Sequence, residues 1–197
     1  MDLVVVESGA KAKTIQKYLG KNILVRASIG HVQDLPTKGK DGSKALWSHT
    51  DTSLPDPPWD WTERAEKTVK RIISDSRSKK VDRVLIATDP DREGEFIAWR
   101  LVELLSEFGD IQRITFNEIT ETAIKEALQE AGTVDMNLVD AAKVRRFMDR
   151  LIGYRTSRFA RSWSLTSMGR VQTPTLGFVV KREKEIQKFI PTSYWAV

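Results

Sequence analysis

Four carboxylate side chains lie within seven residues near the middle of the chain, at Asp89, Asp91, Glu93 and Glu95, and a fifth, Glu7, follows a short apolar run near the N-terminus. Carboxylates that converge on one site repel one another unless a cation neutralises them. The chain has no cysteine and only two histidines, so the ligands on offer are hard oxygen atoms, which select Mg²⁺ rather than zinc. The pattern therefore predicts a magnesium site that works on phosphate.

The same acidic loop has a purely structural interpretation, which the residues alone leave open. Glu93 and Glu95 would then be acids in the first turn of a helix, stabilised by the helix dipole, and the aspartates would be loop caps. The separate partner Glu7 favours the metal site. Lys11 lies in the first turn of the helix that follows Glu7, where backbone N–H groups attract phosphate. Its ammonium could therefore neutralise the charge of a bound phosphate. The alternative is that Lys11 lies on a solvated helix face and binds nothing.

A strongly basic segment lies between residues 143 and 170. It holds eight basic residues and one acid, a local charge of +7, so the rest of the chain carries −2 of the net +5. Seven of the eight are arginines, whose flat guanidinium forks suit bidentate contacts with phosphate. This segment predicts a polyanionic partner.

The sequence predicts that these residues are positioned by a parallel β-sheet with helices between its strands. Residues 3–6 and 84–87 are short apolar runs typical of buried strands, and each is followed by a helical pattern, at 10–19 and 93–105. In such sheets the working groups collect at the carboxyl ends of the strands, where Glu7, Asp89 and Asp91 fall. Further strands are predicted at 23–28 and 111–116, and further helices at 63–73, 120–131 and 136 to about 163.

Two features divide the chain. Residues 34–61 contain four prolines and two glycines and are predicted to form a long surface loop or an insertion. Its tryptophans Trp47, Trp59 and Trp61 either pin the loop to the domain or stack on bases. A composition shift at 132–133 predicts one domain over 1–132 and a second, mainly helical one over 133–197. The sequence shows neither a membrane span nor a signal peptide, so we expect a cytosolic protein.

Six motifs resemble, in their order along the chain, the N-terminal part of type IA DNA topoisomerases. They occupy residues 6–14, 28–36, 88–95, 116–120, 145–154 and 169–174. The first four resemble that family's Toprim domain, a parallel α/β fold shared with primases and some nucleases. The last two resemble the helical domain that follows it and holds single-stranded DNA. The resemblance implies a Toprim-type sheet flanked by helices, followed by an incomplete helical domain.

The resemblance implies a reaction and roles for the acid cluster. A tyrosine attacks a DNA phosphodiester, forms a 5′-phosphotyrosine, and the break is resealed without ATP, which relaxes negatively supercoiled DNA. Glu7, Lys11 and Glu93 would be catalytic: Glu7 would handle the proton of the 3′ oxygen, and Lys11 would stabilise the scissile phosphate. Mg²⁺ would be held by Glu7, Asp89, Asp91 and Glu93.

The resemblance also implies a set of DNA-binding residues. His31 would approach the phosphate; the alternative is a buried histidine that is hydrogen-bonded to backbone beside Gly30. The residues that would line the groove for the strand are Arg145, Arg146, Asp149, Tyr154, Ser167, Met168, Gly169, Arg170, Val171 and Gln172. Arg145 and Asp149 are also spaced for an ordinary ion pair within a helix, and Tyr154 lies on an apolar stripe that favours a core position.

One difference from the family limits the activity that we expect of this chain. The family's nucleophilic tyrosine belongs to a later domain, and Tyr18, Tyr154 and Tyr194 do not match its motif. We therefore expect a fragment that binds Mg²⁺ and DNA but does not cleave alone, and a strand at 195–197.

The partners follow from the same resemblance. They are single-stranded or negatively supercoiled DNA in the cytoplasm, close to the nucleoid, with no membrane and no nucleotide cofactor. Two other functions stay open at this point: a Toprim primase or nuclease, and a DNA-binding module whose acid loop is structural.

Overall fold

The computed structural model describes residues 1–35 and 59–196. The strands are β1 (Asp2–Val6), β2 (Ile23–Ala27), β3 (Gln33–Asp34), β4 (Asp60–Trp61), β5 (Arg83–Ile86) and β6 (Asp110–Arg113). The helices are α1 (Gly9–Leu19), α2 (Ala65–Ser78), α3 (Arg92–Leu104), α4 (Glu121–Gln129), α5 (Met136–Arg161) and α6 (Gln172–Lys188), with a short 3₁₀ turn at Ser106–Phe108.

Four strands form one parallel sheet in the order β2-β1-β5-β6. The central strand β1 pairs on one side with β2, where Val5 lies opposite Arg26, and on the other with β5, where Val5 lies opposite Ile86. Because every pairing is parallel, the carboxyl ends of all four strands meet at the same edge. The predicted α/β fold with a parallel sheet is confirmed.

Alternate residues of β1 enter two separate cores. Leu3 and Val5 pack on one face of the sheet with apolar residues of α2 and α3, whereas Val4 and Val6 pack on the other face with those of α1 and α4. Side chains alternate across a strand, so a sheet covered by helices on both faces needs an apolar residue at every position. This requirement explains the unbroken apolar run at the start of the sequence.

The predicted loop at 34–61 is closed at its base by a two-stranded antiparallel ribbon. Asp34 of β3 lies opposite Asp60 of β4, and residues 36–58, including Trp47, lie outside the described part of the chain. Trp59 packs edge-on against Phe96, with ring centroids 5.2 Å apart, as the pinning interpretation expects. Trp61 is exposed.

The C-terminal part differs from the prediction in two places. Helix α6 was not predicted as a separate element, and the strand expected at 195–197 is wrong: residues 189–196 have no regular secondary structure, and residue 197 is not described. Trp195 is almost fully exposed, and nothing in the described chain pairs with this segment to form a ladder.

The chain divides into two compact units, Met1–Val144 and Arg145–Val197, and the division falls within α5. The domain boundary at 132–133 stays a prediction. Across the described residues, no helix is both long and apolar enough to span a bilayer.

Candidate functional site

Two predicted site residues meet at the carboxyl edge of the sheet. Glu7 directly follows β1, and Asp89 lies three residues after the neighbouring strand β5. The backbone N–H of Asp89 donates to Glu7 Oε1 over 2.8 Å. The structure therefore joins the Glu7 side chain to the backbone of a residue that lies 82 positions away in sequence.

A lysine completes this junction. Ser8 caps α1 by accepting a hydrogen bond from the backbone N–H of Lys11 over 3.3 Å, which fixes the first turn of the helix beside Glu7. From there the Lys11 ammonium donates to Oδ1 of Asp89. The first acid of the cluster is thus bonded to a cation of this chain.

The remaining predicted metal ligands are engaged elsewhere. Asp91 is the N-cap of α3, and its Oδ1 accepts a hydrogen bond from the backbone N–H of Gly94 over 2.7 Å. Glu93 pairs with His31, whose Nε2 lies 3.5 Å from the carboxylate. For Asp91 the capping role that the sequence left open is therefore confirmed. Across residues 1–35 and 59–196, no group of three or more acidic or histidine side chains is spaced to hold a metal ion.

Gly94 allows the acid loop to fold back on its own helix. A methyl group at this position would overlap the backbone carbonyl of Asp89 and lie 2.9 Å from its backbone nitrogen. The hydroxyl of Thr88 donates to the carbonyl of Gly94 over 2.8 Å, which holds the loop and the helix together. Any side chain at residue 94 must therefore displace Asp89.

A buried ion pair, which the sequence did not predict, contacts the backbone of the acidic loop at Asp89. Arg113 Nη2 lies 2.7 Å from Glu95 Oε1, and the two side chains are 2% and 5% exposed. The same Nη2 donates to the backbone carbonyl of Asp89 over 3.0 Å, while Glu95 Oε2 accepts from the backbone N–H of Asp135 over 3.1 Å. Glu95 is thus structural. Arg113 lies inside the strand predicted at 111–116, and an arginine within a sheet strand is the signal that could have revealed a buried partner.

A tight turn places His31 beside the cluster. Ile29 and Gly30 both have positive φ, +62° and +77°, which is strained for a β-branched side chain. The backbone N–H of Gly30 donates to the carbonyl of Glu7 over 2.9 Å, and the hydroxyl of Thr62 donates to the carbonyl of His31 over 2.6 Å. The side chain of His31 stays one-third exposed.

In the second unit, predicted DNA-binding residues converge on one carboxylate. Arg170 Nε donates to Asp149 Oδ1 over 2.7 Å, and Arg145 Nε lies 3.6 Å from Oδ2 of the same residue. The ion pair that the sequence left open for Arg145 and Asp149 is therefore present. Tyr154 is 44% exposed, with the Arg150 guanidinium 5.5 Å from its ring centre, so its predicted core position is wrong.

Hydrogen bonds fix the segment before α6 to α5. The hydroxyl of Ser157 donates to the carbonyl of Met168 over 2.9 Å and accepts from its N–H over 3.0 Å. Gln172 Nε2 donates to the hydroxyl of Ser167 over 3.1 Å. The first two bonds tie the predicted run of residues 167–172 to α5, and the third joins the two ends of that run. Ser157 was not predicted to take part. Gly169 is half-buried within this run, Val171 is exposed, and Arg146 on α5 is partly buried.

Comparisons with known proteins add a second line of evidence. A model of the Toprim domain matches residues 2–119, and a model described as DNA topoisomerase matches residues 133–197. The chain is 41% identical to DNA topoisomerase 1 of Pseudomonas aeruginosa and 39% identical to that of Escherichia coli, covering 99% of this chain but 26% and 25% of those proteins. It thus spans about a quarter of their length.

A solved structure resembles the fold. Full-length topoisomerase I from Thermotoga maritima is 38% identical, superposes with a TM-score of 0.76, and covers 96% of this chain and 31% of its own.

Proposed function

Because this chain belongs to the DNA topoisomerase family with an N-terminal Toprim domain, we propose that it forms part of an enzyme that breaks and rejoins single-stranded DNA. The enzyme would relax negatively supercoiled DNA through a 5′-phosphotyrosine without ATP, with a tyrosine from a part of the protein outside this chain. The Toprim domain covers 1–132, and the start of the strand-holding domain covers 133–197.

The junction of Glu7, Lys11 and Asp89 is the observation that carries this proposal. A carboxylate that can move a proton and an ammonium that can neutralise phosphate charge both contact Asp89, the first at its backbone N–H and the second at its side chain. Phosphoryl transfer needs these two functions, because the leaving 3′ oxygen must gain a proton and the phosphate charge must be stabilised. Glu7 supplies the first and Lys11 the second.

Mg²⁺ is the cation whose chemistry suits the acids at this edge, although the described side chains are not spaced as a ready-made metal site. Glu7, Asp89, Asp91 and Glu93 offer carboxylate oxygens, which are the ligands that Mg²⁺ prefers. Asp89 already holds a positive charge, the ammonium of Lys11. The ion would offset charge at the phosphate during resealing. Because Asp91 caps α3 through one oxygen, its second oxygen remains for this role.

The second unit would hold the DNA strand. Asp149 orients the guanidinium groups of Arg145 and Arg170 by pairing with both. Both arginine side chains are about 40% exposed, so a DNA phosphate could reach them. Tyr154 is exposed with the Arg150 guanidinium near its ring, and the two side chains together would contact a base. In the first unit, His31 beside Glu93 would approach the phosphate near the cut.

Relaxation of a negatively supercoiled plasmid by the whole protein, with Mg²⁺ and without ATP, tests this function. Glu7→Gln should lower the rate by about 100-fold or more, because acid–base catalysis contributes at least that much. Glu66→Gln is the matched control, since Glu66 is an exposed acid on α2 paired with Lys70, and its rate should equal that of the wild type.

Two outcomes would contradict the proposal. Undiminished relaxation by the Glu7→Gln variant would remove Glu7 from the chemistry. Primer synthesis from ribonucleotides, or release of cut DNA without resealing, would instead identify a Toprim primase or nuclease.

A further inference from the structure

Two exposed aromatic rings lie at the end of α5, and no step of the proposed function uses them. Phe159 is 65% exposed and Trp163 is 70% exposed. Their ring centroids are 6.4 Å apart, and their planes are tilted by 52°. Large aromatic side chains are mostly buried in folded proteins, so a pair left open on one surface indicates a ligand or a partner.

The backbone at the end of α5 fixes the second ring beside the first. Trp163 lies four residues after Phe159, the spacing that brings side chains together on a helix surface. The helix ends at Arg161, and a turn continues it. The backbone N–H groups of Trp163 and Leu165 donate to the carbonyl of the buried Ala160 over 3.0 and 3.1 Å. The two rings are therefore held in place without being covered.

The surroundings of the two rings are positively charged. Arg155 is exposed and lies four residues before Phe159, so a guanidinium and then two rings follow one another along one side of α5. No acidic residue occurs between Asp149 and Glu183 in the sequence.

This combination of charge and aromatic rings favours one kind of occupant. An apolar protein segment that covered the rings would also desolvate the guanidinium of Arg155, which is costly unless the segment supplies an acid. A single strand of nucleic acid brings phosphates for the guanidinium and base faces for the rings at once.

We propose that Phe159 and Trp163 form a stacking platform for bases of single-stranded DNA, with Arg155 holding a phosphate of the same stretch. This inference rests on the proposed function and lengthens its path for the strand. Arg145 and Phe159 are fourteen residues apart, close to four helical turns, so they lie on the same side of α5 and roughly 21 Å apart along its axis. The platform continues the strand path from Arg145 towards the end of the helix.

The affinity of the whole protein for a labelled single-stranded oligonucleotide, measured by fluorescence anisotropy in EDTA, tests the platform. Trp163→Ala should weaken binding by about tenfold, because one base stacked on an aromatic ring contributes roughly that factor. Trp163→Phe keeps a ring and should stay within about threefold of the wild type. Arg155→Gln should reduce the slope of log affinity against log salt by about 0.7.

Trp195→Ala is the matched control. Trp195 is almost fully exposed as well, but no lysine or arginine lies within six residues of it. Its loss should change the affinity for the oligonucleotide by less than about twofold, because a ring without a neighbouring cation does not hold a strand. Equal weakening by the two alanine substitutions would mean that loss of any exposed tryptophan is enough, and it would overturn the inference.

An abasic oligonucleotide of the same length separates stacking from charge, because it keeps the phosphates and lacks the bases. The wild type should bind it about tenfold or more weakly than the base-bearing strand, and Trp163→Ala should narrow that difference. A difference of the same size in both proteins would overturn the stacking role of Trp163.

Urea denaturation of the same variants tests the other occupant. Trp163→Ala should keep the unfolding midpoint of the wild type, because an exposed ring contributes little to stability. A clear fall in the midpoint would show that another part of the protein covers the ring, and it would overturn the inference. A wild type that binds no oligonucleotide would refute the proposed function itself. Binding that Arg170→Gln weakens and Trp163→Ala leaves unchanged would refute this inference alone.

Discussion

The acid site of the first unit and the arginine site of the second are built in different ways. Around Asp89, the backbone is held by three contacts: the carbonyl accepts from the buried Arg113 that pairs with Glu95, the N–H donates to Glu7, and Gly94 packs closely against it. Around Asp149, the contacts are two exposed ion pairs, one with Arg145 on the same helix and one with Arg170 in the segment before α6.

This difference matches what the two sites are proposed to do. Chemistry at a phosphate needs groups held within a fraction of an ångström, which only a packed core provides. Holding a strand whose bases vary needs charge and a flexible reach, which exposed arginines provide. Substitutions near the acid site should therefore cost stability, whereas those in the arginine site should cost DNA affinity alone.

The largest effect on stability is expected at the buried ion pair. Glu95→Gln leaves the Arg113 charge uncompensated in the protein interior, so the free energy of unfolding should fall by about 3 to 5 kcal/mol. Urea denaturation followed by circular dichroism measures this change.

Glu121→Gln is the control for that experiment. Glu121 also pairs with a cation, Lys125, but both side chains are more than half exposed. Its loss should change the unfolding free energy by less than about 0.5 kcal/mol. Equal destabilisation by the two glutamine substitutions would show that burial of the Glu95–Arg113 pair has no special weight.

A smaller effect is expected at Gly94. Gly94→Ala forces a methyl group against the backbone of Asp89, so we expect the free energy of unfolding to fall by about 1 to 3 kcal/mol. We also expect weaker binding of Mn²⁺, a paramagnetic substitute for Mg²⁺, because Asp89 would be displaced. Gly9→Ala is the matched control, because Gly9 lies in open space in the first turn of α1 and should be neutral or slightly stabilising. Unchanged stability and Mn²⁺ affinity in Gly94→Ala would refute the close approach.

The sequence predicted the parts of the fold that depend on periodicity. The apolar run at 3–6 and the apolar run at 84–87 indicated strands buried on both faces, and the parallel order followed from the helix after each. The placement of Glu7 next to Asp89 followed from the rule that working groups collect at the carboxyl ends of such strands.

The features of the site that the sequence did not predict depend on contacts between residues that are distant in sequence. Nothing local distinguishes Glu95, a buried partner of Arg113, from Glu93, which lies two residues earlier and stays partly exposed. The bond between Lys11 and Asp89 is equally invisible in sequence, since the two residues lie 78 positions apart. Tyr154 shows the converse error: helical periodicity indicated a buried side, but burial depends on what packs there.

One paired titration tests the division between the two sites most directly. Asp89→Asn should weaken Mn²⁺ binding by about tenfold or more and leave the affinity for a single-stranded oligonucleotide in EDTA undiminished. Arg170→Gln should leave Mn²⁺ binding unchanged, weaken oligonucleotide binding, and reduce the slope of log affinity against log salt by about 0.7. Wild-type Mn²⁺ affinity in Asp89→Asn, or an unchanged salt slope in Arg170→Gln, would contradict the assignment of metal chemistry to the first site and strand holding to the second.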